Sequence, residues 1–498
     1  MKKLLLCLLT PATLASAQII RPVNLQPAPS LQLAAGSAPS SLAVGSLNRD
    51  AYLDLVVVER GRNDVAVYLQ TAAGSFGSTP AAVYPAGQAP SSVVIVPLVG
   101  ATSTSALQVD DLMVVSGPSN LLTLLRNNEN TTGTFTALPT QVFGNRPTTS
   151  PLLIAGYFDR QVGIDVAYTH NIPNDPYVGY LSHQGNGQFL KKSTTRMSSI
   201  EIPSTGATYN FSPTSMSVGD FDGDGLQDMV ATGPVQFSSQ PSSDQVVVRL
   251  TETGSQEANW SFTNRRTSLA TGGVDPISLA TADLNRDFRP EMAIANEASN
   301  NIIVFVNNGV GEFVSPSVYA VSATPRQVLF ADLNNDSYPE MLVLTADNQV
   351  NLFVHTQQGT SARYPQTPLL LPVGINPTTM LVAGLDYDDY PELLVGCSGD
   401  QTVRIFRNMS ADPLSTQVPK LSRVAVYPNP AATSVTIGRP ADMTGPMTAT
   451  LYDALGRVVR QQEASPLSTM AVEDLPRGIY ILRLENAGSS TARRLVLQ

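Results

Sequence analysis

The densest chemistry in this chain is carboxylate. In Asp220-Phe-Asp222-Gly-Asp224-Gly-Leu226-Gln-Asp228, acids stand at positions one, three, five and nine of a short loop. Two further stretches keep the spacing with an amide at the third position: Asp283, Asn285, Asp287 and Glu291, then Asp332, Asn334, Asp336 and Glu340. Two others begin without an acid, with Ser46 before Asn48, Asp50 and Asp54, and with Gly384 before Asp386, Asp388 and Glu392. A worn copy holds Asp159, Gln161 and Asp165. Acids this close repel one another, so a tight loop that holds them requires a cation. The donors are all oxygens, and alternate positions aim side chains inward, with the carbonyl of Leu226 as a further ligand. That is the chemistry of Ca2+, which takes ~6–8 oxygen ligands, and it disfavours soft transition metals. Mg2+ rarely uses all-protein cages, and an EF-hand would place its last acid at position ~12 between helices. The plain alternative is a solvated acidic turn.

Other chemistries are thinly represented. The three histidines, His170, His183 and His355, lie in separate segments without metal-ligand spacing. No nucleophile elbow, His-Glu-x-x-His or phosphate loop is present. A catalytic site must therefore be scattered, as in a propeller-based polysaccharide lyase or glycoside hydrolase, and the expectation is that the chain is not an enzyme. The formal net charge of -10 disfavours a nucleic-acid partner, because phosphate binding needs a basic face.

The loops must be positioned by strands. Each is preceded by an apolar strand and followed by a β-branched one such as Leu55–Val58. A third alternating strand follows, as at Val65–Leu69, Ile302–Val306 and Val403–Phe406, and then a Gly-x-Phe turn, as at Gly74–Phe76 and Gly311–Phe313. The loops start at residues 46, 157, 220, 283, 332 and 384, and the first interval is about twice the others. A hidden copy fills it, with strands at Ser91–Val96 and Asp111–Val115 and no acidic loop. Seven copies of four short strands form the arithmetic of a β-propeller. The first copy is preceded by an orphan strand, Leu31–Ala35, and the last stops after its third strand near Met409. Pairing Leu31–Ala35 with Val403–Phe406 would close the ring and remove open sheet edges. Charged residues make up only 14% of the chain, against ~25% typically, which argues against helical bundles.

The repeats over about Leu31 to Met409 resemble the FG-GAP or VCBS repeats of integrin-α-like propellers. Residues 421–498 read instead as short strands: Val424–Tyr427, Ser434–Ile437, Thr448–Tyr452, Arg457–Gln461, Ile479–Leu484 and Arg494–Leu497. Val426-Tyr-Pro-Asn-Pro430, Leu451-Tyr-Asp-Ala-Leu-Gly-Arg457, Leu475-Pro-Arg-Gly-Ile-Tyr-Ile-Leu482 and Arg493-Arg-Leu-Val-Leu-Gln498 resemble the type A sorting domain of type IX secretion substrates. The resemblance implies export by the type IX machinery and a secreted or outer-surface location. A basic start at Lys2 and Lys3, an apolar run to Leu14 and Ala15-Ser-Ala17 read as a signal peptide. No other apolar stretch is long enough to span a membrane. One cysteine, Cys397, lies beyond that segment, so no disulfide stiffens the mature chain.

The expected organisation is all-β. A signal peptide at 1–17 precedes a leader at 18–30 and a seven-bladed propeller at 31–409. A linker at 410–420 leads to a small immunoglobulin-like β-sandwich at 421–498. The expected role is a calcium-stabilised ring that binds an extracellular protein or glycan through face loops. The loop candidates are Gly100–Gln108, His170–Tyr177, Ile202–Phe211 and Gly233–Asp244.

Overall fold

The computed structural model describes residues 22–497 apart from 51, 97–108, 140, 143–150, 157–163, 171–175, 184–188, 197–199, 202–207, 224–226, 238–245, 253–261, 265–272, 310–311, 357–363, 387, 411–423, 428, 430, 432, 439–446, 454–456, 464–466 and 487–488. The signal-peptide segment, the Asp159–Gln161 part of the worn loop, Asp224, Leu226 and most of the expected face loops therefore lie outside the described residues. The described elements are all strands and bridges, with no helix among them. No described helix is long and apolar enough to cross a membrane.

Seven antiparallel sheets of four or five strands follow one another along residues 25–408 among the described residues. In each, the second strand is a short β-branched or apolar run, such as Asp54–Glu59, Asp111–Ser116, Glu291–Asn296 and Glu392–Cys397. These strands are buried along their whole length. Burial on both faces explains why they read as unbroken apolar runs rather than alternating ones. The cores lie between adjacent sheets. Leu47, Val56, Val58 and Val67 of the first sheet pack with Leu112, Val114 and Leu125 of the second. Leu385, Leu394 and Val403 of the last sheet pack with Leu55, Val57 and Tyr68 of the first.

One small hydrogen bond recurs between neighbours. A side chain near the start of one sheet's first strand donates to the proline carbonyl that opens the next. Ser40 donates to Pro90 O at 2.9 Å, Ser91 to Pro151 O at 2.6 Å, Thr214 to Pro276 O at 2.6 Å and Arg326 to Pro377 O at 2.7 Å. Thr378 of the last sheet donates to Pro39 O of the first at 2.5 Å. The same joint therefore connects last to first as connects first to second, and the sheets form a closed ring.

The orphan N-terminal strand joins the last sheet. Leu31 faces Val403 and Gln32 faces Thr402, and Leu33 N–H donates to Gln401 O at 2.8 Å. Pairing begins earlier than expected. Leu25–Pro27, placed by the sequence in a leader, pairs with Phe406–Asn408. The last sheet's third strand is long enough to take two short partners end to end. A further three-stranded sheet, Ile200–Glu201, Thr208–Phe211 and Val235–Phe237, lies beside the fourth sheet and was not foreseen.

Residues 425–497 form two antiparallel sheets around one core, in which Val435, Ile437, Ala449, Leu451, Leu482 and Leu495 are fully buried. One strand, Leu467–Ala471, was missed in the sequence and completes the smaller sheet against Ser434–Gly438.

Candidate metal centres in the acidic loops

Each acidic loop connects the first strand of a sheet to the second. Its ninth position opens the second strand, and it is buried at Asp165 in the worn loop and in the other five, at Asp54, Asp228, Glu291, Glu340 and Glu392. In those five the carboxylate turns back and accepts the backbone N–H of position two. The bonds are Leu47 N to Asp54 at 3.2 Å, Phe221 N to Asp228 at 3.0 Å, Leu284 N to Glu291 at 2.8 Å, Leu333 N to Glu340 at 2.8 Å and Leu385 N to Glu392 at 2.7 Å. The second oxygen often reaches the third strand. Gln70 N donates to Asp54 at 2.9 Å and Asn307 N to Glu291 at 3.4 Å. At Glu291 the ninth acid thus ties three strands of its own sheet.

Position two is held from the other side as well, by a residue not foreseen. An amide at the end of a third strand, or just beyond it at Gln70, reaches back to the preceding sheet's loop in four sheets. Gln70 donates to Leu385 O at 2.5 Å, Asn127 to Leu47 O at 2.8 Å, Asn307 to Phe221 O at 3.0 Å and Asn408 to Leu333 O at 2.7 Å. The signal was available in the sequence as an Asn or Gln about sixteen residues after the ninth position. The phenylalanine of the Gly-x-Phe turn makes a parallel contact. Phe313 packs edge-on against Phe221, position two of the preceding loop, at 5.5 Å.

The loops curl through left-handed backbone at positions four and six. Gly223 has φ 78°, and Arg286, Phe288, Asn335 and Ser337 have φ 64°, 67°, 53° and 70°. Glycine adopts this region without steric cost, and other residues need support. Carboxylates supply it. Asp283 accepts from Asp287 N at 3.1 Å and Phe288 N at 2.8 Å, and Asp332 accepts from Asp336 N at 3.1 Å and Ser337 N at 2.7 Å. The inward turn places the acids together. Oxygens of Asp220, Asp222 and Asp228, and of Asp386, Asp388 and Glu392, all lie within 4.8 Å of one another. At the Asp283 and Asp332 loops the third-position amide approaches the ninth acid instead. Asn285 donates to Glu291 at 3.0 Å and Asn334 to Glu340 at 3.3 Å. In the first loop Asn48 donates to Asp50 at 2.7 Å, and Tyr52 N to the same carboxylate at 2.7 Å.

Charge is unwelcome in these loops as they stand. Burial pushes Asp54 and Glu291 up to about 7 and Glu340 and Glu392 up to about 8; for Glu392 the Asp386 charge adds to burial. Asp388 is raised by burial and by the Asp386 charge. In the last loop, Asp386 Oδ1 and Glu392 Oε1 are buried without a hydrogen-bond donor. Orphaned oxygens, raised carboxylates and an oxygen-only donor set fit a hard divalent cation. Asp386, Asp388 and Glu392 would hold it in one loop, and Asp220, Asp222 and Asp228 in another. The last loop gathers three carboxylates despite its leading Gly384, which makes it as strong a candidate as those with an intact first position.

The second sheet has no acidic loop but keeps a buried carboxylate at the opening of its second strand, Asp111, which accepts Asn127 N–H at 2.6 Å, and its neighbour Asp110 reaches the first sheet. Asp110 accepts Ser46 N–H at 2.9 Å and its own N–H donates to Ser46 O at 2.8 Å. It buttresses position one of the first sheet's loop. Two of the histidines have structural surroundings. His170 stacks on Tyr177 at 4.7 Å, and His355 stacks on Tyr338 at 4.9 Å; both are buried.

Two family profiles match parts of the chain. Residues 283–343 match an FG-GAP-like repeat and residues 425–498 a secretion system C-terminal sorting domain. No curated protein sequence matches. Among solved structures, BBS1N in complex with ARL6DN is 11% identical, with 78% of this chain and 99% of that chain covered and a TM-score of 0.48. A lectin of Agrocybe aegerita that recognises non-reducing terminal N-acetylglucosamine is 14% identical, with 67% and 85% covered and a TM-score of 0.42. A functionally unknown protein from Desulfotomaculum acetoxidans is also 14% identical, with 72% and 99% covered and a TM-score of 0.42. The ring described above rests on the chain's own strand pairing, not on these low-scoring likenesses. The two profile matches and the all-β architecture make this a secreted β-propeller protein with FG-GAP-like repeats. Its type IX sorting domain directs it to the cell surface or the extracellular space.

Proposed function

We propose that the chain is a calcium-stabilised, seven-bladed propeller that serves as a binding module for an extracellular protein or glycan. Each described four- or five-stranded sheet of the ring is one blade, and residues 425–497 form an immunoglobulin-like sandwich that hands the ring to the type IX machinery. The reading of calcium is supported by the orphaned oxygens of Asp386 and Glu392 beside Asp388. Calcium suits such oxygen sets, and with no disulfide among the described residues each ion would staple the first strand of a blade to its second.

The observation that carries the binding role is an open groove of about 520 Å³ where the first two blades meet, lined by Arg49, Arg126, Asn127, Asn128, Glu129, Thr136 and Leu138. Arg49 pairs with Glu129 at 2.8 Å across the blade boundary, and Arg126 is exposed at the groove. Polar side chains on a rigid scaffold are where recognition commonly sits. The test is a glycan and protein array probed with calcium-loaded full-length chain, beside its Arg126→Ala variant. Retention of a ligand by the wild type and its weakening by R126A support the reading. Depolymerisation of a polysaccharide by the purified chain would replace it with an enzymatic one.

A further inference from the structure

The sorting domain pairs with the ring at one acidic loop and faces a second. Arg493 Nη2 lies 3.7 Å from Asp389 Oδ1, next to Asp388 in the last blade's loop. Its side chain is 19% exposed, and both Asp389 and Asp388 act electrostatically on it. Tyr427, from the domain's first strand, lies within electrostatic reach of Asp50 in the first blade's loop. Burial and then the Asp50 charge push its phenol up to about 12. Its hydroxyl is buried without a hydrogen-bond partner.

These contacts belong to one rigid unit. Asn429 donates to Arg494 O at 2.8 Å and accepts Val496 N–H at 2.8 Å. The segment after Tyr427 is therefore tied to the terminal strand that carries Arg493. The two loops are neighbours too, because Gln70, which donates to Asp54 of the first loop, also donates to Leu385 O of the last. An ion pair on one loop and a buried phenol facing the charge of the adjacent loop, carried by one body, make a seat.

We propose that the attached sorting domain docks on the acidic loops of the first and last blades and sets Arg493 there as an internal counter-charge. Docking and calcium binding at Asp386, Asp388 and Glu392 then oppose each other. A guanidinium beside Asp388 and Asp389 weakens the negative potential that draws a divalent cation to the loop. Linkage makes the effect reciprocal, so calcium loosens the domain by the factor by which the domain weakens calcium. A chain still carrying its sorting domain holds this loop less fully loaded than one that has lost it. The inference rests on the calcium reading and adds to it a contact between two parts of the same chain.

The test is calcium titration of the full chain by calorimetry. Arg493→Ala should tighten one site by about threefold, the scale of a partly exposed ion pair, while Arg493→Lys keeps the wild-type curve. In an Asp388→Asn background, R493A should change nothing. Hydrogen exchange on the unaltered protein is the second arm and needs no variant to fold. Calcium should raise exchange in residues 489–497 and 425–427. Calcium binding that R493A leaves unchanged, or exchange there that calcium does not raise, overturns the proposal alone. A chain that binds no calcium anywhere overturns it together with the metal reading.

Discussion

At the scale of single residues, the ninth carboxylate and the cross-blade amide share one small target, the peptide at position two of each loop. Asn307→Ala would leave the buried carbonyls of Phe221 and Pro290 without the donor that now reaches both. A buried acceptor stripped of its partner costs about 1–3 kcal/mol, so N307A should shift the urea midpoint downward by that equivalent; an unshifted midpoint would show that the clasp is idle. Glu59 offers a pH test away from the loops. It is buried at the end of the first blade's second strand, accepts a hydrogen bond from Ser37 at 2.9 Å and lies 3.1 Å from Arg62. Burial pushes it up to about 7 from an ordinary 4.5. The unfolded chain gives up this proton first, so the folded state loses stability as pH rises from 4.5 to about 7. Glu59→Gln should flatten the stability curve across that window in denaturant melts, and an unchanged slope would contradict the assignment. The carboxylates were legible because their spacing repeats in sequence. The amides of Gln70, Asn127, Asn307 and Asn408 keep a fixed spacing too, but their task does not show in it, because each acts on a neighbouring blade and its local sequence shows only a polar strand end.

At the scale of elements, the closure of the ring was legible from arithmetic: an orphan strand at one end and a blade short of one strand at the other. What the sequence hid was the start of that closure. Leu25-Gln-Pro27 is too short and too rich in loop residues to read as a strand, and only pairing with Phe406–Asn408 makes it one. Leu467–Ala471 was missed for a similar reason, being a short polar-apolar mixture that gains its conformation from Ser434–Gly438. Leu31 is 6% exposed and packs in the core shared by the last and first blades. Leu31→Ala should cost about 2–5 kcal/mol, as buried leucine truncations do, and be read as a lower denaturation midpoint of the whole ring. A loss confined to a few tenths of a kcal/mol would mean that the N-terminal strand decorates the ring without closing it.

At the scale of the whole molecule, two parts have separable tasks. The sorting domain addresses the chain to the type IX machinery, so deletion of 421–498 should trap the product in the periplasm; undiminished surface or medium levels would contradict that. The ring carries acids whose burial is unfavourable unless something neutralises them. A ligand that binds only the folded state stabilises it by about 2.7 kcal/mol at a hundredfold excess over Kd, and several loops act on one cooperative ring. The measurement that bears most directly on this account is metal analysis of the purified full chain, paired with thermal melting with and without a chelator. The account predicts more than one calcium per chain, a clear fall in Tm on chelation, and recovery when calcium is returned. A protein that carries no calcium and melts at the same temperature in chelator would contradict it.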